Sequence, residues 1–272
     1  MRRVAPADGP PYYVFDRLDP AGVAAHAVFT RRGGVSAVPY DSLNVSSSIG
    51  DDPAAVEVNR ARVLAALDRT RTGLVMGGLV HGVDVARVDG TTAGESLDGG
   101  GRYIPRVDAL VTDDPAVTLV ITAADCAQVL FVDPRRRAVG IAHAGWRGAA
   151  AGVLTATVAA LCAHYGSDPS DLRAAVGPCL GPCCARFSDP HHELPGWCAP
   201  FIHCGHVDLW AMNRHQLREA GLRPAHISVA EVCTVCQRDL FYSHRGDKGH
   251  TGRFAAAIGL RSQWRTLTFH LP

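Results

Sequence analysis

Apolar and polar positions along the chain alternate between strand-like and helix-like patterns. Ala24 to Thr30 is a mostly apolar run that ends in Arg31-Arg32-Gly33-Gly34-Val35-Ser36, the composition of a strand entering a turn where glycine tolerates positive φ. From Asp51-Asp52-Pro53 the period changes. An early proline and the stripe Val56, Val63, Leu64 and Leu67 predict a helix to about Asp68. Short strands rich in β-branched residues follow at Val83 to Val88, Asp108 to Thr112, Val117 to Thr122, Ala127 to Val132 and Ala138 to Ala142, with a glycine-rich loop, Gly94 to Gly101, between the first two. Helical spacing returns near Trp146 or Arg147 and continues to His164, burying Val153, Leu154, Val158 and Leu161, with Gly166 as its cap. The remainder reads as a strand ending at Val176, an irregular Pro and Cys segment to about Gly205, a helix from Asp208 to Glu219 and a strand from Phe254 to Leu260.

A chain of 272 residues fits one α/β unit, and no linker or internal repeat divides it, so residues 1–272 are expected to form a single domain. With 47% apolar and 19% charged residues it can bury a substantial core. Its 27 basic residues balance 26 acidic ones, so no overall field favours nucleic acid or an anionic membrane as a partner. The apolar stretch Ala116 to Ala124 is bounded by Asp113, Asp114 and Asp125, far short of the roughly 20 residues that cross a bilayer. Pro6, Asp8, Gly9, Pro10 and Pro11 interrupt the region where an export signal needs a continuous apolar run. Nine cysteines, an odd number, favour reduced thiols or metal ligands, and a cytoplasmic location is expected.

Candidate chemistry centres on His81, Cys126 and His143, which fall at strand ends or in adjoining loops. A nitrogen and sulfur set of three is what a catalytic zinc takes while its fourth position stays open. Taken singly, each histidine also reads as a hydrogen-bonded structural residue and Cys126 as a small buried hydrophobe. Separations of 45 and 17 positions match no short zinc motif and do not join the three.

Longer motifs join them. Thr30-Arg31-Arg32-Gly33-Gly34-Val35-Ser36, Ser42-Leu43-Asn44, Val80-His81-Gly82, Asp108-Ala109-Leu110-Val111-Thr112, Ala124-Asp125-Cys126 and His143-Ala144-Gly145-Trp146-Arg147-Gly148 occur in this order. Gly181-Pro182-Cys183-Cys184, Cys233-Thr234-Val235-Cys236, Phe241-Tyr242-Ser243-His244-Arg245 and Thr251-Gly252-Arg253 follow them. Over nearly its whole length the chain resembles the YfiH family, also called the multicopper polyphenol oxidase or laccase-domain family. The resemblance implies an α/β fold of packed mixed β-sheets flanked by helices, similar to the CNF toxin deamidase fold. It implies a metal, zinc with copper as the alternative, at His81, Cys126 and His143. It also implies phosphorolysis of adenosine, inosine and methylthioadenosine, with adenosine deamination as a second activity, so purine nucleoside and phosphate are the expected small-molecule partners.

Those reactions assign further candidates. Zinc at an open site lowers the pKa of water toward about 7, which suits attack on C6 of adenine, and Asp125 is the candidate proton carrier, or else the carboxylate that orients a metal ligand. Phosphate needs cationic partners, and Arg31 and Arg147 serve either that role or structural ion pairs; the helix starting near Arg147 would add N–H donors. Asn44 is a candidate for orienting ribose or base, or for satisfying its own turn. Leu79 stands where the family usually has Gln, and Ala185-Arg186 where it has Tyr-Glu. Cys183, Cys184, Cys233 and Cys236 are a conceivable four-thiolate site, but adjacent cysteines fit the paired Cys-x-x-Cys arrangement poorly, so structural packing is expected of them.

Three other functions remain open. A cysteine amidase of the kind that edits peptidoglycan precursors would use Cys126 as nucleophile and His143 as base. A copper-dependent phenol oxidase would call for many paired histidines, and the chain offers only His191-His192 and the spaced His203 and His206. A non-enzymatic accessory protein would carry the ligand set as a vestige.

Overall fold

In the strand Ala127–Asp133, Leu130 and Val132 enter one apolar cluster while Val129 and Phe131 enter another on the opposite face, and every residue is buried. The neighbouring Ala138–Ala144 divides the same way, Val139 and Ile141 against Ala138 and Ala142. Burial on both faces removes the apolar–polar alternation of a surface strand, which is why these segments read as continuous apolar runs. The computed structural model describes residues 1–261.

Two mixed sheets carry the fold. The six-stranded sheet runs in the order Ile227–Val229, Arg173–Val176, Ala127–Asp133, Ala138–Ala144, Ala109–Thr112, Val85–Arg87. The eight-stranded sheet runs Arg2–Val4, Tyr12–Val14, Ala24–Phe29, Phe254–Leu260, Thr118–Ala123, Leu74–Gly77, Arg102–Ile104, Glu95–Ser96. The two sheets meet face to face over Val28, Val75, Leu119, Ile121 and Ile258 from one and Leu110, Leu130, Val132 and Ile141 from the other. On the outer face of the six-stranded sheet, Val111, Val129 and Phe131 pack under Val153, Leu154, Val158 and Leu161 of the helix Val153–Tyr165. On the outer face of the eight-stranded sheet, Phe29, Leu74 and Val120 receive Val63 and Leu64 of the helix Pro53–Ala65. The result is a single-domain α/β/β/α sandwich, the expected architecture of mixed sheets flanked by helices.

Local chemistry accounts for most element boundaries. Asp52 caps Pro53–Ala65 by accepting from the N–H of Ala54, and Asp208 caps Leu209–Glu219 by accepting from Ala211. One expected element divides: the helix read as continuous from Trp146 to His164 is two, Trp146–Ala151 and Val153–Tyr165, broken at Gly152 with φ of 103°. Gln216, reaching in from Leu209–Glu219, accepts from Leu154 N and donates to Ala149 O, so the break leaves these buried backbone groups paired. Among the described residues no helix is long and apolar enough to cross a membrane.

Candidate metal centre

Antiparallel pairing of Gln128 with His143 sets the start of Ala127–Asp133 beside the end of Ala138–Ala144. Cys126 therefore reaches His143 across the ladder. His81 arrives from the loop beyond Leu74–Gly77 in the other sheet. The ligand atoms of the three lie within 4.8 Å of one another, and the two imidazole centroids are 4.9 Å apart. His143 is buried, Cys126 half-buried and His81 exposed, so the cluster has one solvent-facing side.

One buried carboxylate organises both histidines. Asp108, fully shielded from solvent, accepts from the backbone N–H of Val80 at 3.1 Å, His81 at 2.9 Å and Gly82 at 2.7 Å, and its Oδ1 lies 2.9 Å from Nδ1 of His143. His81 has φ of 60°, a left-handed conformation that costs about 1–3 kcal/mol in a non-glycine residue. Three N–H bonds to an ionised acceptor, each worth about 1.5–3 kcal/mol, are enough to hold it. With Nδ1 of His143 donating to Asp108, Nε2 is the atom left for Cys126 or a cation. Sequence reading passed over Asp108 as a site residue, although it opens one of the quoted motifs.

The third ligand is held the same way. Asp125, just before Cys126, has φ of 84°; its Oδ1 accepts from Thr234 and Ser243 hydroxyls, each at 2.6 Å, and its Oδ2 from Arg245 N at 2.7 Å. The N–H of Leu180 donates to its carbonyl at 2.8 Å. Two buried carboxylates thus clamp the strained turns that present His81 and Cys126.

The glycines of His143-Ala144-Gly145-Trp146-Arg147-Gly148 are spaces the centre requires. A Cβ on Gly145 would stand 2.5 Å from Nδ1 of His81 and 3.1 Å from Sγ of Cys126, and one on Gly148 would stand 2.8 Å from the carbonyl oxygen of Gly82. Trp146 packs edge-on against Phe187 at 5.4 Å, and the Arg147 guanidinium stacks on Trp146 at 4.1 Å.

Burial disfavours charge on Cys126 and His143, yet each stabilises the charged form of the other. The Cys126 thiol falls to about 6 under the two histidines, and His143 rises to about 9 beside Cys126 and Asp108. Burial also pushes Asp108 up, but the bonds from His143, Gly82 and Val80 prevail and hold its carboxyl below the usual range. A thiolate and two imidazoles suit a borderline-soft divalent cation, and donors at roughly 2.0–2.3 Å from zinc would stand roughly 3.3–3.8 Å apart, inside the 4.8 Å spread here. The residues fit the metal.

The other candidates sit as follows. Arg147 is exposed and, among the described residues, has no hydrogen-bond or carboxylate partner. Arg31 is engaged, donating to Asp41 and to the carbonyl of Arg238 while stacking 4.5 Å from the Tyr242 ring centroid. Asn44 is wholly buried; its amide donates to Ser46 O and Asp51 and accepts from the N–H of Ser46 and Arg253. Arg253, in the Thr251-Gly252-Arg253 motif, is held below the usual guanidinium range by burial, against the opposing charges of Cys126 and Asp125, and donates to the carbonyls of Thr251 and Gly252. Leu79 packs against the inter-sheet core, and Ala185 is fully buried in an apolar cluster. A cavity of about 360 Å³ lined by residues such as Arg69, Thr72, Arg102 and Thr118 includes none of His81, Cys126 and His143.

The family described as multi-copper polyphenol oxidoreductase laccase matches residues 25–261. A Geobacillus stearothermophilus protein named purine nucleoside phosphorylase YlmD is 38% identical over 256 residues, covering 90% of this chain and 93% of its own. An Escherichia coli protein named purine nucleoside phosphorylase YfiH is 35% identical, covering 89% and 95%. The crystal structure of YlmD from Geobacillus stearothermophilus superposes with a TM-score of 0.84 at 35% identity, covering 95% of this chain and 98% of that one. With the sandwich, the ligand cluster and matches along nearly the whole length, this chain belongs to the YfiH, or laccase-domain, family.

Proposed function

We propose that this protein is a metal-dependent purine nucleoside phosphorylase acting on adenosine, inosine and methylthioadenosine, with adenosine deamination as a side activity. The convergence of His81, Cys126 and His143, in a chain whose relatives carry the phosphorylase name, is the observation that carries the reading. Zinc, or alternatively copper, held by these three would supply a Lewis acid at the solvent-facing side of the cluster. In phosphorolysis a phosphate oxygen bonds C1′ as the bond from C1′ to N9 breaks; the electron pair leaves with the purine, which takes up a proton. Arg147, exposed and pinned on Trp146, is the residue we assign to phosphate. Asp125, with three donors on its carboxylate, holds the Cys126 turn in place. Arg31 and Asn44 shape the loop between residues 31 and 51, and nine free thiols suit a reducing cytoplasm.

Purified protein incubated with adenosine and phosphate tests this. Adenine and ribose 1-phosphate support phosphorolysis, ammonia and inosine support deamination, and unchanged rates in His81→Ala and Cys126→Ala exclude the mechanism. A second reading has an observation of its own: Cys126, His143 and Asp108 line up as nucleophile, base and orienting carboxylate, as in a cysteine amidase. Amide hydrolysis by metal-free protein, abolished by zinc, would favour it over the phosphorylase.

A further inference from the structure

Four cysteines outside the centre converge elsewhere. Cys179 and Cys233 pair as a parallel bridge, with Cys179 N donating to Val232 O and Thr234 N to Cys179 O, so the loops that follow run side by side. Bonds from the N–H of Cys184 and Ala185 to Gly181 O curl the first loop into a turn, and Gln237 N to Cys233 O closes the second. The sulfurs of Cys183, Cys184, Cys233 and Cys236 end within 4.8 Å of one another, and Sγ of Cys236 is 3.6 Å from those of both Cys183 and Cys184.

These separations discriminate between the roles four thiols can take. A disulfide holds its sulfurs about 2.05 Å apart, well inside the observed spacing. Sulfurs at the corners of a tetrahedron, each about 2.3 Å from a zinc ion, stand roughly 3.8 Å apart, close to the two 3.6 Å separations at Cys236 and inside the 4.8 Å spread of all four. Packing, the expectation from sequence, accounts poorly for them, since Cys183 and Cys236 are exposed and Cys184 only half-buried, whereas thiols that serve as hydrophobes are among the most buried side chains. The turn at Gly181 also removes the objection to adjacent cysteines, because it brings Cys183 and Cys184 to the same point.

We propose that Cys183, Cys184, Cys233 and Cys236 form a second metal site, a closed tetrathiolate that binds zinc as a structural ion and releases the thiol protons to solvent. It is separate from the open site of His81, Cys126 and His143 and does not depend on which reaction that site catalyses. Its effect on the centre follows from the two loops it ties. One carries Leu180, which donates to the Asp125 carbonyl, and the other carries Thr234, which donates to the Asp125 carboxylate. Arg245 also donates from its guanidinium to Cys184 O and from its N–H to Asp125. Zinc between these loops would brace the turn that presents Cys126.

The test is metal content of protein purified under reductant without a chelating tag and supplied with zinc. Two equivalents per chain are expected. Cys236→Ser should retain one, and His81→Ala should also retain one, having lost the other. Zinc content unchanged by Cys236→Ser, or one equivalent in the unmodified protein that only His81→Ala removes, overturns the proposal. Should Cys236→Ser fail to fold, cobalt(II) loaded into unmodified protein gives a second reading. Sulfur-to-cobalt charge transfer as intense as four thiolates require supports the site, and intensity matching the single thiolate of Cys126 refutes it.

Discussion

Replacing Gly145 by alanine tests the geometry of the centre with a single methyl group. Gly145 has φ of −60° and ψ of 155°, which any residue adopts, so the backbone itself does not resist the change. The new Cβ would lie 2.5 Å from Nδ1 of His81, about 0.9 Å short of the 3.4 Å where ordinary contact begins, and would also press on Sγ of Cys126 at 3.1 Å. Because Asp108 anchors the backbone of His81 while its side chain is exposed, the ring must swing toward solvent. Misplacing a reactive group by about 1 Å costs on the order of 10²-fold in rate, equivalent to about 2.7 kcal/mol. Gly145→Ala should therefore lower kcat/KM for phosphorolysis by about that factor and weaken metal retention against a chelator, while thermal unfolding stays near that of the parent. Gly196→Ala, whose Cβ would meet nothing within 4 Å, is the control. Full metal content with undiminished kcat/KM in Gly145→Ala would refute the proposed ligand set.

Asp108→Asn should reduce metal affinity 10–100-fold, read by chelator competition, because the amide no longer offers two ionised acceptors to the N–H groups of residues 80–82 and to His143. Phe131→Ala should destabilise the fold by about 3–5 kcal/mol in a denaturant titration, since Phe131 is completely buried beneath the outer helices. Burial lowers His26 from 6.5 to about 4, and its Nε2 accepts from Phe15 N, so the folded chain holds it neutral. The unfolded chain binds the proton first as pH falls; stability is full above pH 6.5 and declines toward pH 4 by about 2–3 kcal/mol. His26→Gln should flatten that part of the stability profile, and an unchanged slope would contradict the assignment.

Much of the secondary structure was legible because it is set locally. The strand Phe254–Leu260 and the caps at Asp52 and Asp208 follow from runs and residue types within a few positions. Short strands such as Arg2–Val4 and Ile227–Val229 were not legible, being only partly buried and recruited by neighbouring strands. The break at Gly152 was hidden too, since apolar spacing continues across it and the capping partner, Gln216, lies far along the chain. Family motifs brought His81, Cys126 and His143 into view, yet Asp108, whose carboxylate ties two of them together, looked like an ordinary strand-edge acid.

By itself the sequence determined the alternation of strands and helices, a nearly neutral chain with a large core, and the family motifs, because period, composition and residue order are properties of the linear chain. Only the tertiary structure decided which side chains meet. Cys126 reaches His143 through a strand register, and His81 reaches both from the other sheet through an acid buried 27 residues further on. The two cysteine pairs, 183–184 and 233–236, converge through a bridge at Cys179 and Cys233. Donor distances of a few ångströms depend on registers, turns and excluded Cβ atoms that become defined once the whole sandwich has packed.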